Sequence, residues 1–145
     1  MGIAQETIVQ KCLALFHSTG MPDTGQIAQL FAEEAVYQPL VPRGTPKRGR
    51  AAIVAELERQ FGRYSECHCE LLAMASTDRH VFTERRDHVC MRDGRRVFSS
   101  VNAVFEFDDQ QRIVSWREYW DAADVAQLLG TTAEAIHTRM SESAP

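Results

Sequence analysis

The stretch Arg112-Ile113-Val114-Ser115-Trp116-Arg117-Glu118-Tyr119-Trp120-Asp121 decides the reading of this chain. Side chains alternate along it with the period of a half-buried strand. Val114, Trp116, Glu118 and Trp120 fall on one face, and Ile113, Ser115, Arg117 and Tyr119 on the other. Glu118 therefore stands between two tryptophans on the more apolar side. A carboxylate there has to be paired, hydrogen-bonded or shifted in pKa. Such a group is suited to moving a proton. The competing reading is a surface glutamate with indoles against its stem, or a purely structural ion pair.

Working outward, the same period predicts strands at 66–74, 80–91, 95–107 and 112–120. Asp93-Gly94 supplies a tight hairpin and Asp108-Asp109-Gln110-Gln111 a looser turn. Upstream the period lengthens to that of helices. Ile8, Cys12, Leu15 and Phe16 predict an amphipathic helix over 5–17, broken at Gly20-Met21-Pro22. Asp23 and Gln26 cap a second, short helix burying Ile27, Leu30 and Phe31. A short strand follows from Ala35 to about Gln38, then an irregular loop, PLVPRGTPKRGR, over 39–50. A third helix spans 50–61 with Ile53, Val54, Leu57 and Phe61 on one side. Asp121 caps a last helix containing Val125, Leu128 and Leu129, stopped by Gly130. Helices grouped against an antiparallel meander define an α+β domain over 1–130, with 131–145 expected as a flexible tail.

Composition narrows the function. The 145 residues suit one domain, and 44% hydrophobic with 25% charged residues suits a globule rather than a disordered or membrane chain. The net charge of -4 argues against a nucleic-acid partner. Cys12, Cys67, Cys69 and Cys90 form no CxxC pair, and His68 faces away from Cys67 and Cys69 in a strand, so no metal is expected. No GxGxxG or Walker pattern is present, so no nucleotide cofactor is expected. The N-terminal segment lacks a signal-peptide core and no stretch approaches a membrane span, which predicts a cytoplasmic protein. The basic cluster Arg43, Lys47, Arg48 and Arg50 reads as a solvated loop.

A second candidate set lies in the strand over 80–91. Arg85 and Asp87 share a face, about 7 Å apart. An arginine can fork between two carboxylates, so Arg85 beside Asp87 and Glu118 would make a carboxylate–arginine–carboxylate array able to divide acid and base roles. An ordinary cross-strand charge ladder is the alternative. Asn102, sharing a face with Phe98, Ser100 and Val104, is either a pocket hydrogen-bonder or a satisfied polar residue. The stripe Val101, Ala103, Phe105 and Phe107 suggests a homodimer packed through the sheet, or else the inner core wall.

Four segments carry a resemblance: Phe31-Ala32-Glu33-Glu34-Ala35-Val36-Tyr37-Gln38, Val81-Phe82-Thr83-Glu84-Arg85-Arg86-Asp87, Val104-Phe105-Glu106-Phe107, and Ile113 to Asp121. Their order and spacing resemble the nuclear transport factor 2-like, or SnoaL-like, superfamily, and within it the limonene-1,2-epoxide hydrolase family. The resemblance implies a cone-shaped fold whose curved sheet wraps a deep pocket, a homodimer, an apolar small-molecule substrate and no cofactor. It implies catalytic roles for Arg85, for Asp87 as proton donor, for Glu118 as water-activating base and for Tyr37 as water holder. Trp116, Trp120, Asn102 and Pro39 are then expected around the substrate. The sequence departs from that family twice. Glu118 replaces aspartate, and Pro39 replaces an asparagine that holds water, which removes a side-chain ligand. Epoxide hydrolysis is therefore read beside isomerisation or cyclisation without water, and beside noncatalytic binding of a small molecule.

Overall fold

In the computed structural model, which describes residues 2–142, the elements run α1 (Ile3–Phe16), α2 (Thr24–Ala28), β1 (Phe31–Gln38), β2 (Lys47–Arg48), α3 (Arg50–Phe61), β3 (Tyr64–Ser76), β4 (His80–Met91), β5 (Arg96–Phe107), β6 (Ile113–Tyr119), α4 (Ala122–Leu129) and α5 (Ala133–Ser141). The strands form one mixed sheet in the order β2-β1-β6-β5-β4-β3. β3 to β6 are an antiparallel meander, and β1 joins β6 in parallel. Register slips between Leu71 and Ala73 and between Glu106 and Phe107. Such bulges bend and twist a strand, and the sheet is curled without closing. Gly94 holds the β4–β5 turn at φ 91°, a conformation costly for a residue with a Cβ.

The concave face is filled by the first three helices. Val9, Cys12 and Phe16 of α1, Ile27 of α2, and Ile53, Leu57 and Phe61 of α3 pack on Phe31, Val81, Ala103, Phe105, Ile113 and Trp116. Burying one large apolar side chain of this kind contributes about 1.5–3 kcal/mol. A second, smaller cluster joins Leu40 to Ala122 and Ala126 of α4 and Ile136 of α5. The open end of the curl lies between the two clusters.

Four sequence expectations are corrected. β1 begins at Phe31, not Ala35, because Phe31 pairs with Ile113 in the parallel ladder and is fully buried. Tertiary pairing overrides the local helical pattern there. Residues 133–141 of the expected tail form α5, capped by the Thr132 side chain and anchored by Ile136, which is 2% exposed. The helix buries so little else that it has almost no hydrophobic signature; residues 143–145 lie outside the described residues. The loop over 39–50 contains β2, and its Lys47 is buried rather than solvated. Finally, Val101, Ala103, Phe105 and Phe107 are the inner wall of the sheet, all 3% exposed or less, so this stripe is closed to a second copy. Among the described residues, no helix is long and apolar enough to cross a membrane.

Candidate functional site

Arg85 on β4 and Glu118 on β6 are separated by β5, whose facing residues are Val101 and Ala103. These short side chains leave room for the long guanidinium stem to cross the intervening strand. Arg85 Nε donates to Asp87 Oδ1 at 3.0 Å, and its Nη2 donates to Asp87 Oδ2 at 2.8 Å. The same Nη2 lies 2.7 Å from Glu118 Oε2, which also accepts from Trp116 Nε1 at 3.0 Å. The residues expected to form the array are thus brought together, with the arginine only 2% exposed.

Trp116 is held by rings on every side: Phe16, Phe31, Phe105 and Tyr37, the last stacked at 4.0 Å. This cage fixes the indole N–H that holds Glu118. Tyr37, itself buried, accepts a hydrogen bond from Gln60 Nε2 at 3.2 Å. Gln60 Nε2 also donates to Glu56 Oε2 at 2.8 Å. Glu56 is fully buried, bound bidentately by Arg59 at 2.7 and 3.0 Å and faced by Lys47 at 3.7 Å. With its oxygen accepting from Gln60, Tyr37 keeps its own O–H free to donate into the cavity.

The electrostatics follow from burial with one cation for two carboxylates. Burial raises the Glu118 carboxyl above the ordinary carboxylate range, and the Asp87 charge adds to that against the pull of Arg85 and the Trp116 N–H. Burial also raises Tyr37 well above the usual phenol value, assisted by Glu118. Burial opposes the charge on Arg85, but Glu118 and Asp87 outweigh it and hold the guanidinium protonated. Burial pushes the nearby Cys12 thiol up to about 12, and a Cys67 hydrogen bond followed by burial raises Cys69 as well. Thiols held neutral in this way are poor nucleophiles.

These groups surround a cavity of about 150 Å³ between the two apolar clusters. A space of that size takes a single small ring. Tyr37, Arg85, Asp87 and Glu118 reach it, as do Pro39, Trp116 and Trp120. The Pro39 carbonyl accepts from Trp120 Nε1 at 2.8 Å. Asn102 does not belong to it. It lies on the outer, exposed face of β5, because the face that carries Val101 and Ala103 is the one turned inward.

Sequence reading missed Glu56 and Gln60. Their signal was present in α3: Ile53, Glu56, Leu57, Gln60 and Phe61 follow the three- and four-residue spacing of one helix face. Two polar residues embedded in an apolar stripe mark a buried network.

The curled mixed sheet, the helices in its hollow and the pocket at its open end define the NTF2-like class of α+β folds. The chain belongs to the SnoaL-like domain family, whose profile matches residues 14–116. Comparison with curated protein sequences gives no match. Among solved structures, an LEH-like epoxide hydrolase of M. tuberculosis is similar at 25% identity with a TM-score of 0.73, over 93% of this chain and 96% of its own. A Shewanella denitrificans protein described as a SnoaL-like polyketide cyclase shares the fold at 14% identity and a TM-score of 0.78, over 88% of this chain and 98% of its own. SalBIII, an epoxide hydrolase/cyclase-like enzyme in pyran ring formation of salinomycin, aligns at 20% identity and a TM-score of 0.72, over 83% and 93% of the two chains.

Proposed function

We propose that this protein is an acid–base enzyme that opens the epoxide ring of a small, largely apolar molecule with its own side chains, most directly by adding water. The observation that carries the reading is the pair of carboxylates on one buried arginine at the wall of a small apolar cavity. One guanidinium balances one carboxylate, so a proton on the second brings the site to neutrality. In this reading Asp87 protonates the epoxide oxygen while Glu118 takes a proton from water, and Tyr37 holds that water. Similarity to the epoxide hydrolase of M. tuberculosis supports the assignment.

A second reading is favoured by Pro39 and by the direction of the Glu118 shift. Proline offers no side-chain ligand for water, and its carbonyl is already engaged by Trp120. A Glu118 that keeps its proton is an acid rather than a base. The same pocket would then protonate an epoxide and let an internal nucleophile close a ring, as the similarity to SalBIII suggests. Incubation with cyclohexene oxide, and with an epoxide that carries its own hydroxyl such as 4,5-epoxypentan-1-ol, in heavy-oxygen water separates the two. Hydrolysis yields a diol carrying one solvent oxygen, with turnover falling about 100- to 10,000-fold in Glu118→Gln. An isomer or ether free of solvent oxygen selects the second reading. Turnover unaffected by Glu118→Gln removes this site from the reaction.

A further inference from the structure

The lining of the cavity carries a feature that ring opening does not use. Arg59 of α3, Arg63 just beyond that helix and Arg139 of α5 all line the cavity, and all three are half-buried. Arg59 is committed to Glu56. The side chains of Arg63 and Arg139 have no hydrogen bond or ion pair among the described residues. They also stand close enough to work against each other: burial lowers the Arg63 pKa, and Arg139 and Arg59 lower it further. The acids nearest this group are Glu56, shared among Arg59, Lys47 and Gln60, and the exposed Glu142. Uncompensated positive charge is thus concentrated on one part of the cavity lining, in a chain whose net charge is -4.

We propose that Arg63 and Arg139 form a carboxylate-binding subsite, so that the preferred ligand is a small apolar molecule ending in a carboxylic acid. The inference rests on the reading of the cavity as a small-molecule site and adds the class of ligand. Planar guanidinium forks match a carboxylate in geometry as well as in charge. The anion also relieves the mutual repulsion of the two arginines, a gain that a neutral ligand does not offer. Its apolar body points inward past Tyr64 and Val125 toward Arg85, whose own charge is taken up by Asp87 and Glu118.

Calorimetric titration of the full chain with 4-cyclohexylbutanoate, 4-cyclohexylbutanol and 4-cyclohexylbutyl phosphate tests this directly. The acid should bind roughly tenfold or more tightly than the alcohol, as expected for hydrogen bonds to a charged group. The advantage should shrink with added salt. In the Arg63→Gln/Arg139→Gln double variant the acid's advantage should vanish while the alcohol binds as before. Equal binding of acid and alcohol overturns the subsite. An advantage that survives the double variant does too, since the carboxylate would then sit elsewhere, and so does a phosphate that outcompetes the acid. Turnover of neutral epoxides without any acid preference sinks this inference and spares the epoxide reading. Acid preference in a protein that turns over no epoxide does the reverse.

Discussion

Two charged networks are buried on either side of Tyr37, and they are built with opposite stoichiometry. Around Arg85, one cation serves two carboxylates, Asp87 and Glu118. Around Glu56, one carboxylate serves two cations, Lys47 and Arg59, plus the Gln60 amide. The first has an acid group to spare and faces the cavity, so a proton can be held or given up there. The second has its single carboxylate fully engaged by donors. It ties α3 to β2 and, through the Lys47 Nζ bond to the Glu142 carbonyl at 2.6 Å, to the end of α5. Burying charge does not by itself make a reactive site; the excess of acid over base does.

The largest effect that separates them is on turnover. Asp87→Asn keeps the shape but cannot donate an acid proton, so rate constants should drop about 100- to 10,000-fold with the fold retained. Glu56→Gln should instead strike stability, because Lys47 and Arg59 lose their counter-charge in a buried place. Breaking one partner of a buried pair costs about 3–5 kcal/mol, measurable by urea unfolding. If Glu56→Gln abolished turnover in folded protein while Asp87→Asn left it intact, the two networks would have to exchange roles.

A subtler contrast uses pH. The Glu118 carboxyl titrates above its unfolded value of 4.5 in the folded state. The folded protein therefore holds a proton that the unfolded chain releases. The stability this contributes is complete below about pH 4.5 and is lost as pH rises through the folded pKa. Glu118→Gln is neutral throughout, so the wild type's stability relative to that variant should decline as pH climbs from 4.5. A gap that is flat with pH would mean that the site shares no proton.

The smallest effect is expected where the networks meet. Gln60→Leu removes the donor that holds the Tyr37 oxygen and leaves Glu56 with its two cations. Stability should fall by about 0.5–1.5 kcal/mol, the worth of an ordinary hydrogen bond. Turnover should fall about tenfold through kcat, with KM little changed, and Gln60→Asn should restore less than wild-type rate.

Much of this was legible in the chain because period-two alternation is a strong signal in long strands. It put Arg85 and Asp87 on one face of their strand and Glu118 between two tryptophans on the more apolar face of its own, but did not say which face of the Arg85 strand turns inward. The same alternation put Asn102 correctly with Phe98 and Ser100 but could not say that theirs was the outer face, since β5 carries hydrophobic residues on both. Phe31 was read into a helix because its spacing from Ile27 fits one, whereas its strand exists only through a partner far along the chain. α5 leaves little trace in the sequence because Ile136 is its one fully buried side chain, and hydrogen bonds from Thr45 and Lys47 secure its end. Information of that kind resides in pairing, and local patterns carry little of it.

The parallel pairing of β1 with β6 has a consequence for the order of assembly. It joins a strand that begins at residue 31 to one that begins at residue 113, with α3 and the strands β2 to β5 lying between them. Closing so long a loop is entropically costly before any contact rewards it, and topologies of this kind fold slowly. On an emerging chain β1 has no central partner until β6 has been made, and Glu118 lies near the end of that last strand. The hairpins β3–β4 and β4–β5 can form early, so Arg85 and Asp87 can meet first. The second carboxylate joins them only when the sheet closes, which makes the site itself a marker of completed folding.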